Sequence, residues 1–134
     1  MKKILIIADG TFARNFLNRL LETKSNLHHY IVVSSEDYSQ KSNYENFTFY
    51  QFDPTSLSKL KSVSDGYFSQ FCIVCDDKNE AIAVYENLRQ ISTKTETVFM
   101  SSWELDEKCK EIFASDKHLS VVDIRDIAAS RLMD

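Results

Sequence analysis

The first twenty residues constrain the fold more than any other part of the chain. An apolar run at residues 4–7 is followed by ADGTFA at residues 8–13, and then by apolar residues spaced three and four apart. This order predicts a buried strand, a tight turn and an amphipathic helix. In a doubly wound α/β sheet, such a corner directs free backbone N–H groups and the positive end of a helix dipole at one point, which suits a pyrophosphate.

The rest of the pattern alternates short β-like runs with longer helical stretches, as in repeated βα units. We expect strands at residues 3–7, 30–34, 47–52, 71–75, 97–100 and 120–122. We expect helices at residues 11–23, 55–63, 78–91, 103–113 and 124–133. Residues 35–46 are polar, so an irregular crossover is expected where a regular unit has its second helix. The fold class predicted is α/β: a single Rossmann-like three-layer domain with a mainly parallel sheet of about six strands.

Length and charge narrow the classes of protein to which the chain can belong. With 134 residues, the chain fits one domain, so residues 1–134 are expected to form a single unit. The net charge of -4 and the lack of a lysine or arginine cluster argue against nucleic acid as a partner. The apolar runs are short and the first residues lead directly into a strand, so we expect a cytoplasmic location.

The cysteines and histidines do not form a recognisable reactive site. Three cysteines are too few for a disulfide scaffold and fit a reducing compartment. Cys72 and Cys75 spell C-x-x-C, but they lie in an expected strand, where residues three apart point to opposite faces. The spacing of His28, His29 and His118 is not that of helical metal ligands, and no catalytic motif emerges. No metal site and no enzymatic activity are expected.

The turn at residues 8–13 reads A-x-G-x-x-A, whereas the strong dinucleotide fingerprint reads G-x-G-x-x-G/A. Gly10 stands where the backbone must approach a pyrophosphate closely, and Ala13 fits the position that requires close packing of helix on strand. Ala8 departs from the glycine of the tight turn, and Asp9 adds a negative charge that repels a phosphate. Thr11 either caps the helix or donates to a phosphate oxygen.

The second expected strand ends at Ser34, where dinucleotide-binding proteins place an acidic residue for the ribose hydroxyls. Ser35 occupies about that position, with Glu36 and Asp37 just beyond it. Glu36, and the absence of an arginine nearby in the sequence, argue against NADP. Serines that end a strand and acids on a solvated loop explain the same residues equally well.

Four segments in this order resemble the RCK domain, also called KTN or TrkA N-terminal type, which is the nucleotide-binding regulatory module of bacterial potassium channels and uptake systems. The first is the turn at residues 8–13. The FDPT of residues 52–55 is similar to the family's G-D-A/P-T, and the CDDKN of residues 75–79 to its T-D/N-D-x-x-N. Residues 121–128, VVDIRDIA, are similar to its final strand and helix. The resemblance covers essentially the whole chain, although Phe52 replaces the family's glycine.

The resemblance implies that a nucleotide binds at the turns that follow the first four strands. Amides of the first turn would bind phosphates, the residues after the second strand would face the ribose, and the residue after the third would lie near the adenine. The residues after the fourth strand would close over the nucleotide. The binding residues implied in this way are Ala8, Gly10, Thr11, Phe12, Ala13, Ser35, Glu36, Asp53, Cys75 and Asp76. Helix capping alone also explains Asp53 and Asp77.

The function that follows is a regulatory module that binds NAD(H) or an adenine nucleotide (ATP, ADP or AMP). Its implied partner is a potassium channel or transporter subunit. The module itself is expected to form a homodimer or larger ring. It would lie in the cytoplasm or be held at a membrane through that partner. Two alternatives stay open: a degenerate assembly module whose crevice is filled by its own side chains, and a small NAD(P)-dependent oxidoreductase. The interpretation as a sensor requires the first strand to be central and the Gly10 corner to be open.

Overall fold

A computed structural model describes residues 2–23, 28–41 and 44–126. It contains six strands within this part of the chain, each within two residues of its expected bounds. They are β1 (Lys2–Asp9), β2 (His28–Ser34), β3 (Phe47–Gln51), β4 (Gln70–Cys75), β5 (Glu96–Ser101) and β6 (Leu119–Asp123).

The helices are α1 (Thr11–Glu22), α2 (Leu57–Val63), α3 (Lys78–Ile91) and α4 (Glu107–Ala114), with a short 3-10 turn at Ser39–Lys41. The crossover between β2 and β3 is thus irregular, as expected. Helix α4 begins at Glu107 and not at residue 103, because the Asp106 carboxylate accepts a hydrogen bond from the Cys109 amide and caps the helix there. Residues 124–126 are helical, and the rest of the helix expected at residues 124–133 lies outside the described residues.

Helix α2 begins two residues later than expected because Asp53 closes a turn in front of it. Its Oδ1 accepts hydrogen bonds from the amide and the hydroxyl of Thr55, at 3.0 and 2.7 Å. An aspartate that bonds two residues ahead is a turn-forming arrangement, so the chain enters the helix only after Ser56.

All strands of the sheet are parallel, in the order β3-β2-β1-β4-β5-β6. Ile7 of β1 lies opposite Val33 on one side and Ile73 on the other. The chain runs outward from β1 to β3 and then returns to β4 on the opposite side, so the order reverses between β1 and β4. This is the doubly wound topology, and its switch point lies at the carboxyl ends of the two central strands.

Apolar side chains cover both faces of the sheet. One buried cluster includes Leu5, Ile73 and Leu88, and the other includes Ile6, Leu17 and Val32. A fully buried leucine stabilises the fold by about 1.5–3 kcal/mol relative to an exposed one, so these clusters hold the helices on the sheet. No helix in the described ranges is long and apolar enough to cross a membrane.

The two cysteines of β4 point to opposite faces, as expected, since Cys72 belongs to one cluster and Cys75 to the other. Both are free and buried, and so is Cys109 of α4. Burial raises the pKa of Cys72 to about 12, and it also raises the pKa of Cys75. Neither thiol is therefore a ready nucleophile at neutral pH.

Candidate functional site

The candidate site is the crevice at the carboxyl ends of β1, β2 and β4, which contains the switch point. Gly10 connects β1 to α1 with φ 107° and ψ 179°, a conformation that is essentially restricted to glycine. It is the N-cap residue of α1, and no side chain of this turn bonds the first amides of the helix. The sequence therefore leaves the amino terminus of α1 without a cap of its own.

The carboxylate of Asp76 occupies that amino terminus. Its Oδ2 accepts a hydrogen bond from the Phe12 amide at 3.0 Å, and its Oδ1 accepts one from the Ala13 amide at 3.3 Å. A Cβ atom on residue 10 would come within 2.6 Å of both Cβ and Oδ1 of Asp76, so the two residues are in close contact. The expectation of an open corner is wrong for this structure, because the carboxylate lies where a phosphate was expected.

Asp9 faces away from this corner and toward the end of β2. It is 7% exposed, and its Oδ1 accepts hydrogen bonds from the Ser34 hydroxyl (2.8 Å), the Ser35 amide (2.8 Å) and the Ser35 hydroxyl (3.0 Å). Ser35, which the resemblance places at the ribose, is therefore engaged by Asp9 instead. The proton of its hydroxyl is committed to Asp9, and only the oxygen stays available to a ligand, as an acceptor.

Glu80, in the first turn of α3, is a member of the site that the sequence analysis missed. Burial, and then a hydrogen bond and repulsion from Asp9, raise its pKa to about 7. Oδ2 of Asp9 and Oε1 of Glu80 are both buried without a donor, so a proton on Glu80 supplies the hydrogen bond between the two carboxyls. The only signal in the sequence is a glutamate three residues after the N-cap Asp77, where glutamate is common in any helix.

Glu36 pairs with an arginine, contrary to the expectation drawn from the local sequence. Its Oε2 accepts hydrogen bonds from Nε and Nη2 of Arg14, at 3.1 and 2.9 Å. Arg14 lies 22 residues earlier in the chain, on the first turn of α1, and so it was not visible next to β2. Beside this pair is a cleft of about 140 Å³ between the ends of β2 and β3, lined by Tyr38, Phe49 and Tyr50 among others.

The predicted residues thus divide into four groups. Gly10, Phe12, Ala13 and Asp76 meet at the corner. Buried beneath them are Ala8, at the end of β1, and Cys75, at the end of β4. Glu36 and Ser35 lie at the end of β2, while Thr11 is exposed at the start of α1 and Asp53 is exposed in its turn after β3.

A larger cavity, of about 690 Å³, lies at the opposite edge of the sheet. It is an open groove at the amino ends of β4 and β5, and Lys61, Tyr67, Phe68 and Lys94 are among its lining residues. None of the predicted residues lines it. Open α/β sheets bind ligands at the carboxyl ends of their strands, and the crevice at Gly10 is therefore the better candidate. Within the part of the chain that the structure describes, no group of side chains is arranged to hold a metal ion.

The chain resembles known proteins in its three-dimensional structure. The crystal structure of the GsuK RCK domain matches with a TM-score of 0.65 and 19% identity over 94% of this chain and 26% of the other. The GsuK channel bound to NAD matches with a TM-score of 0.65 and 17% identity, over 94% of this chain and 22% of the channel chain. The chain has the fold of an RCK domain. No family model and no curated protein matches the sequence.

The RCK-type fold is shared with enzymes. A dTDP-glucose 4,6-dehydratase from Bacillus anthracis str. Ames, in complex with NAD, matches with a TM-score of 0.59 and 14% identity. The match covers 80% of this chain and 40% of the dehydratase. This chain therefore spans less than half the length of each of these three structures. The topology alone does not separate a regulatory domain from a dinucleotide-dependent enzyme.

Proposed function

We propose that this chain is a nucleotide-binding regulatory module of the potassium channel or potassium uptake type, and that it is not an enzyme. The observation that carries the proposal is the corner at Gly10, where two successive amides of α1 hold the two oxygens of one carboxylate. A corner that binds a carboxylate in this way has the donors and the dipole that bind a phosphate oxygen pair. Because Asp76 closes the corner in this structure, the proposal requires the phosphate to displace its carboxylate, and the open corner required of a sensor is then that of the bound state. The fold shared with the GsuK RCK domain supports the regulatory assignment.

The nucleotide would lie across the switch point with its phosphates at the amides of Phe12 and Ala13. Its ribose would face the pair formed by Glu36 and Arg14 at the end of β2. Because Glu36 is paired with Arg14, and an arginine at this place can pair with a 2′-phosphate, the end of β2 does not by itself separate NAD from NADP. The nucleotides proposed are NAD(H), ATP, ADP or AMP. NAD(H) ranks first among these, since the GsuK channel structure is bound to NAD.

Binding would act on a partner by shifting helix α1 against the sheet. The corner joins α1 to the tip of β4 through Asp76, so any ligand that replaces this contact changes how the two elements are coupled. A ligand regulates only if its contacts differ between two states of the protein, and loss of the contact with Asp76 is such a difference. The partner proposed is a channel or transporter subunit, with the module in a homodimer or larger ring in the cytoplasm.

A second function is supported by the same crevice. Asp9, Asp76 and Glu80 gather carboxyl groups at the point where a nucleotide would bring further negative charge. A module that has filled its crevice with its own side chains would serve assembly alone, with Asp76 as a permanent cap of α1. In that case, variants of Asp76 would lose stability and would gain no binding.

Isothermal titration calorimetry with NAD+, NADH, ATP, ADP and AMP tests the proposed function. We expect saturable heat with at least one of these ligands at or below millimolar concentration. Native mass spectrometry of freshly purified protein would show any nucleotide that is retained, together with the assembly size. The absence of binding in both measurements, for the wild type and for variants that vacate the corner, contradicts nucleotide sensing and supports the assembly module.

A further inference from the structure

We propose that Asp76 is a built-in competitor of the phosphate, so that nucleotide binding requires its carboxylate to leave the amino terminus of α1. This inference rests on the proposed function and names how the site is regulated. The side chain is an autoinhibitory contact within the binding crevice. It sets the affinity of the module without touching the rest of the ligand.

The first argument is that the carboxylate and a phosphate need the same donors. Oδ2 and Oδ1 of Asp76 accept from the amides of Phe12 and Ala13, and these are the amides at the N2 and N3 positions of α1. No residue of the helix supplies an acceptor to them, because Gly10 has no side chain. Hydrogen bonds from amides to a charged acceptor are stronger than those to a neutral one, so a ligand must outcompete a good partner.

The second argument is steric. Gly10 approaches Asp76 so closely that a Cβ atom at residue 10 would overlap its side chain. The space that the missing side chain of Gly10 leaves above the turn is thus filled by Asp76. A phosphate group is larger than a carboxylate, so both cannot lie against the same turn.

The third argument concerns how the carboxylate would leave. The Asp76 amide donates to the Asp9 carbonyl at 2.9 Å, which continues the pairing of β4 with β1. Asp77, the next residue, is fixed as the N-cap of α3 by its bond from the Glu80 amide at 3.0 Å. The backbone on both sides is therefore held, while the Asp76 side chain is only partly buried. Rotation of this side chain toward solvent opens the corner without refolding of either strand or helix.

The fourth argument is the charge that surrounds the corner. Asp9 is bonded to Ser34 and Ser35, so the carboxylate that touches the corner amides is that of Asp76, and it would repel an anionic ligand that tried to share them. Displacement of Asp76 into solvent removes one negative charge from contact with the phosphate. A neutral residue at position 76 would remove the charge repulsion, and alanine would also remove the competing acceptor.

The test compares Asp76→Asn and Asp76→Ala with Asp77→Asn, titrating NAD+, ATP and inorganic pyrophosphate into each full chain at fixed ionic strength. Asp77→Asn is the matched control: it removes one negative charge at the next residue and keeps a side chain that caps helices well. We expect Asp76→Ala and Asp76→Asn to bind pyrophosphate and NAD+ at least tenfold more tightly than the wild type. Asp77→Asn should stay within threefold of the wild type. Asp76→Asn retains a side-chain oxygen and so keeps the inference testable if Asp76→Ala unfolds, which circular dichroism would report.

The outcomes separate the inference from the proposed function. If the wild type binds NAD+ or ATP and the Asp76 variants bind it no more tightly, the result overturns the inference and is compatible with the proposed function. Asp76 variants that bind pyrophosphate but no nucleotide support the competition at the corner and contradict nucleotide sensing. Variants that bind none of the three ligands overturn both. If Asp77→Asn gains as much affinity for pyrophosphate and NAD+ as the Asp76 variants do, then the change in net charge explains the tighter binding and the contact at the corner does not. That result would also overturn the inference.

Discussion

At the scale of single residues, Gly10 and Asp76 determine whether the amides at the start of α1 are free or occupied. Gly10 supplies a backbone conformation that other residues rarely adopt, and Asp76 places a carboxylate on the amides that this conformation exposes. Both residues were predicted as members of the site from the sequence. Their contact with each other was not, since 66 residues separate them and only the pairing of β1 with β4 brings them together.

Substitution of Gly10 should cost more than substitution of Gly66, the other glycine of this chain. Both have positive φ, at 107° and 98°, so an alanine at either position carries about 1–3 kcal/mol of backbone strain. A Cβ at Gly66 meets nothing within 4 Å, whereas one at Gly10 meets Asp76. Urea unfolding should show that Gly10→Ala is less stable than Gly66→Ala by at least about 1 kcal/mol, the value of a lost helix cap.

The double variant Gly10→Ala with Asp76→Gly is the check on that explanation. Removal of the Asp76 side chain removes what the new methyl group would meet. The loss in unfolding free energy of the double variant should therefore be smaller than the sum of the losses of the two single variants. Equal costs for the two glycine variants, or strict additivity, would contradict the contact.

The pair formed by Asp9 and Glu80 predicts a pH dependence of stability. Because the folded state raises the pKa of Glu80 to about 7, the folded protein keeps a proton that the unfolded chain releases at lower pH. The stabilisation from this group is therefore complete at acidic pH below its ordinary pKa of 4.5, declines between there and pH 7, and is absent above. Glu80→Gln donates to Asp9 at every pH and should remove this decline.

Chemical denaturation at pH 5 and pH 8 measures the effect. At pH 8, the free energy of unfolding of Glu80→Gln should exceed that of the wild type by about 1 kcal/mol, the typical value of one buried hydrogen bond. The difference should shrink at pH 5. Glu86→Gln, on the exposed side of the same helix, is the control and should show no such change. A constant difference between Glu80→Gln and the wild type at the two pH values would contradict the shared proton.

At the scale of elements, the sequence predicts the strands better than the starts of the helices. Apolar runs set the strands, and each strand was found within two residues of its expected bounds. The starts of α2 and α4 depend on which side chain bonds the backbone, and Asp53 and Asp106 both delay the helix relative to its apolar pattern. The first amides of helix α1 are bonded by Asp76, the residue after β4, an arrangement that no local pattern contains.

The carboxyl end of α3 is fixed by an ion pair that joins it to the loop before β6. Arg89 bonds Asp116 through Nε at 2.7 Å, and its other nitrogens donate to the carbonyls of Ser92, Thr95 and His118. The two charged side chains are only 14% and 9% exposed. Removal of one partner leaves the other buried and unpaired, so Arg89→Met should lower the free energy of unfolding by about 3–5 kcal/mol.

The matched control for that prediction is Arg19→Met, which removes an arginine from a helical pair that is 84% and 67% exposed. Exposed pairs of this kind contribute about 0.3–0.5 kcal/mol, so the control should be nearly neutral in thermal and urea unfolding. Similar losses for the two variants would contradict the role assigned to Arg89 in holding α3 to the loop before β6.

At the scale of the whole molecule, the fold class follows from the sequence, and so does the edge of the sheet where a ligand site is expected, while the arrangement of the side chains at that edge does not. Alternating βα units indicate a parallel sheet, and ligands of such sheets bind at the carboxyl ends of the strands. The side chains that fill the crevice come from β1, β4, α3 and the first turn of α1. Arg14 and Glu80 were missed because their positions depend on how these elements pack. The closed corner is thus a property of the assembled domain.

The most direct test of the nucleotide-binding corner is a titration of NAD+ into the 15N-labelled wild-type chain, followed through the backbone amide signals of Phe12 and Ala13. These two amides should shift together and saturably as the phosphate replaces the Asp76 carboxylate, and Gly66, at the opposite edge of the sheet, should not respond. Unchanged Phe12 and Ala13 signals at millimolar NAD+, or saturable shifts confined to other residues, would contradict phosphate binding at this corner.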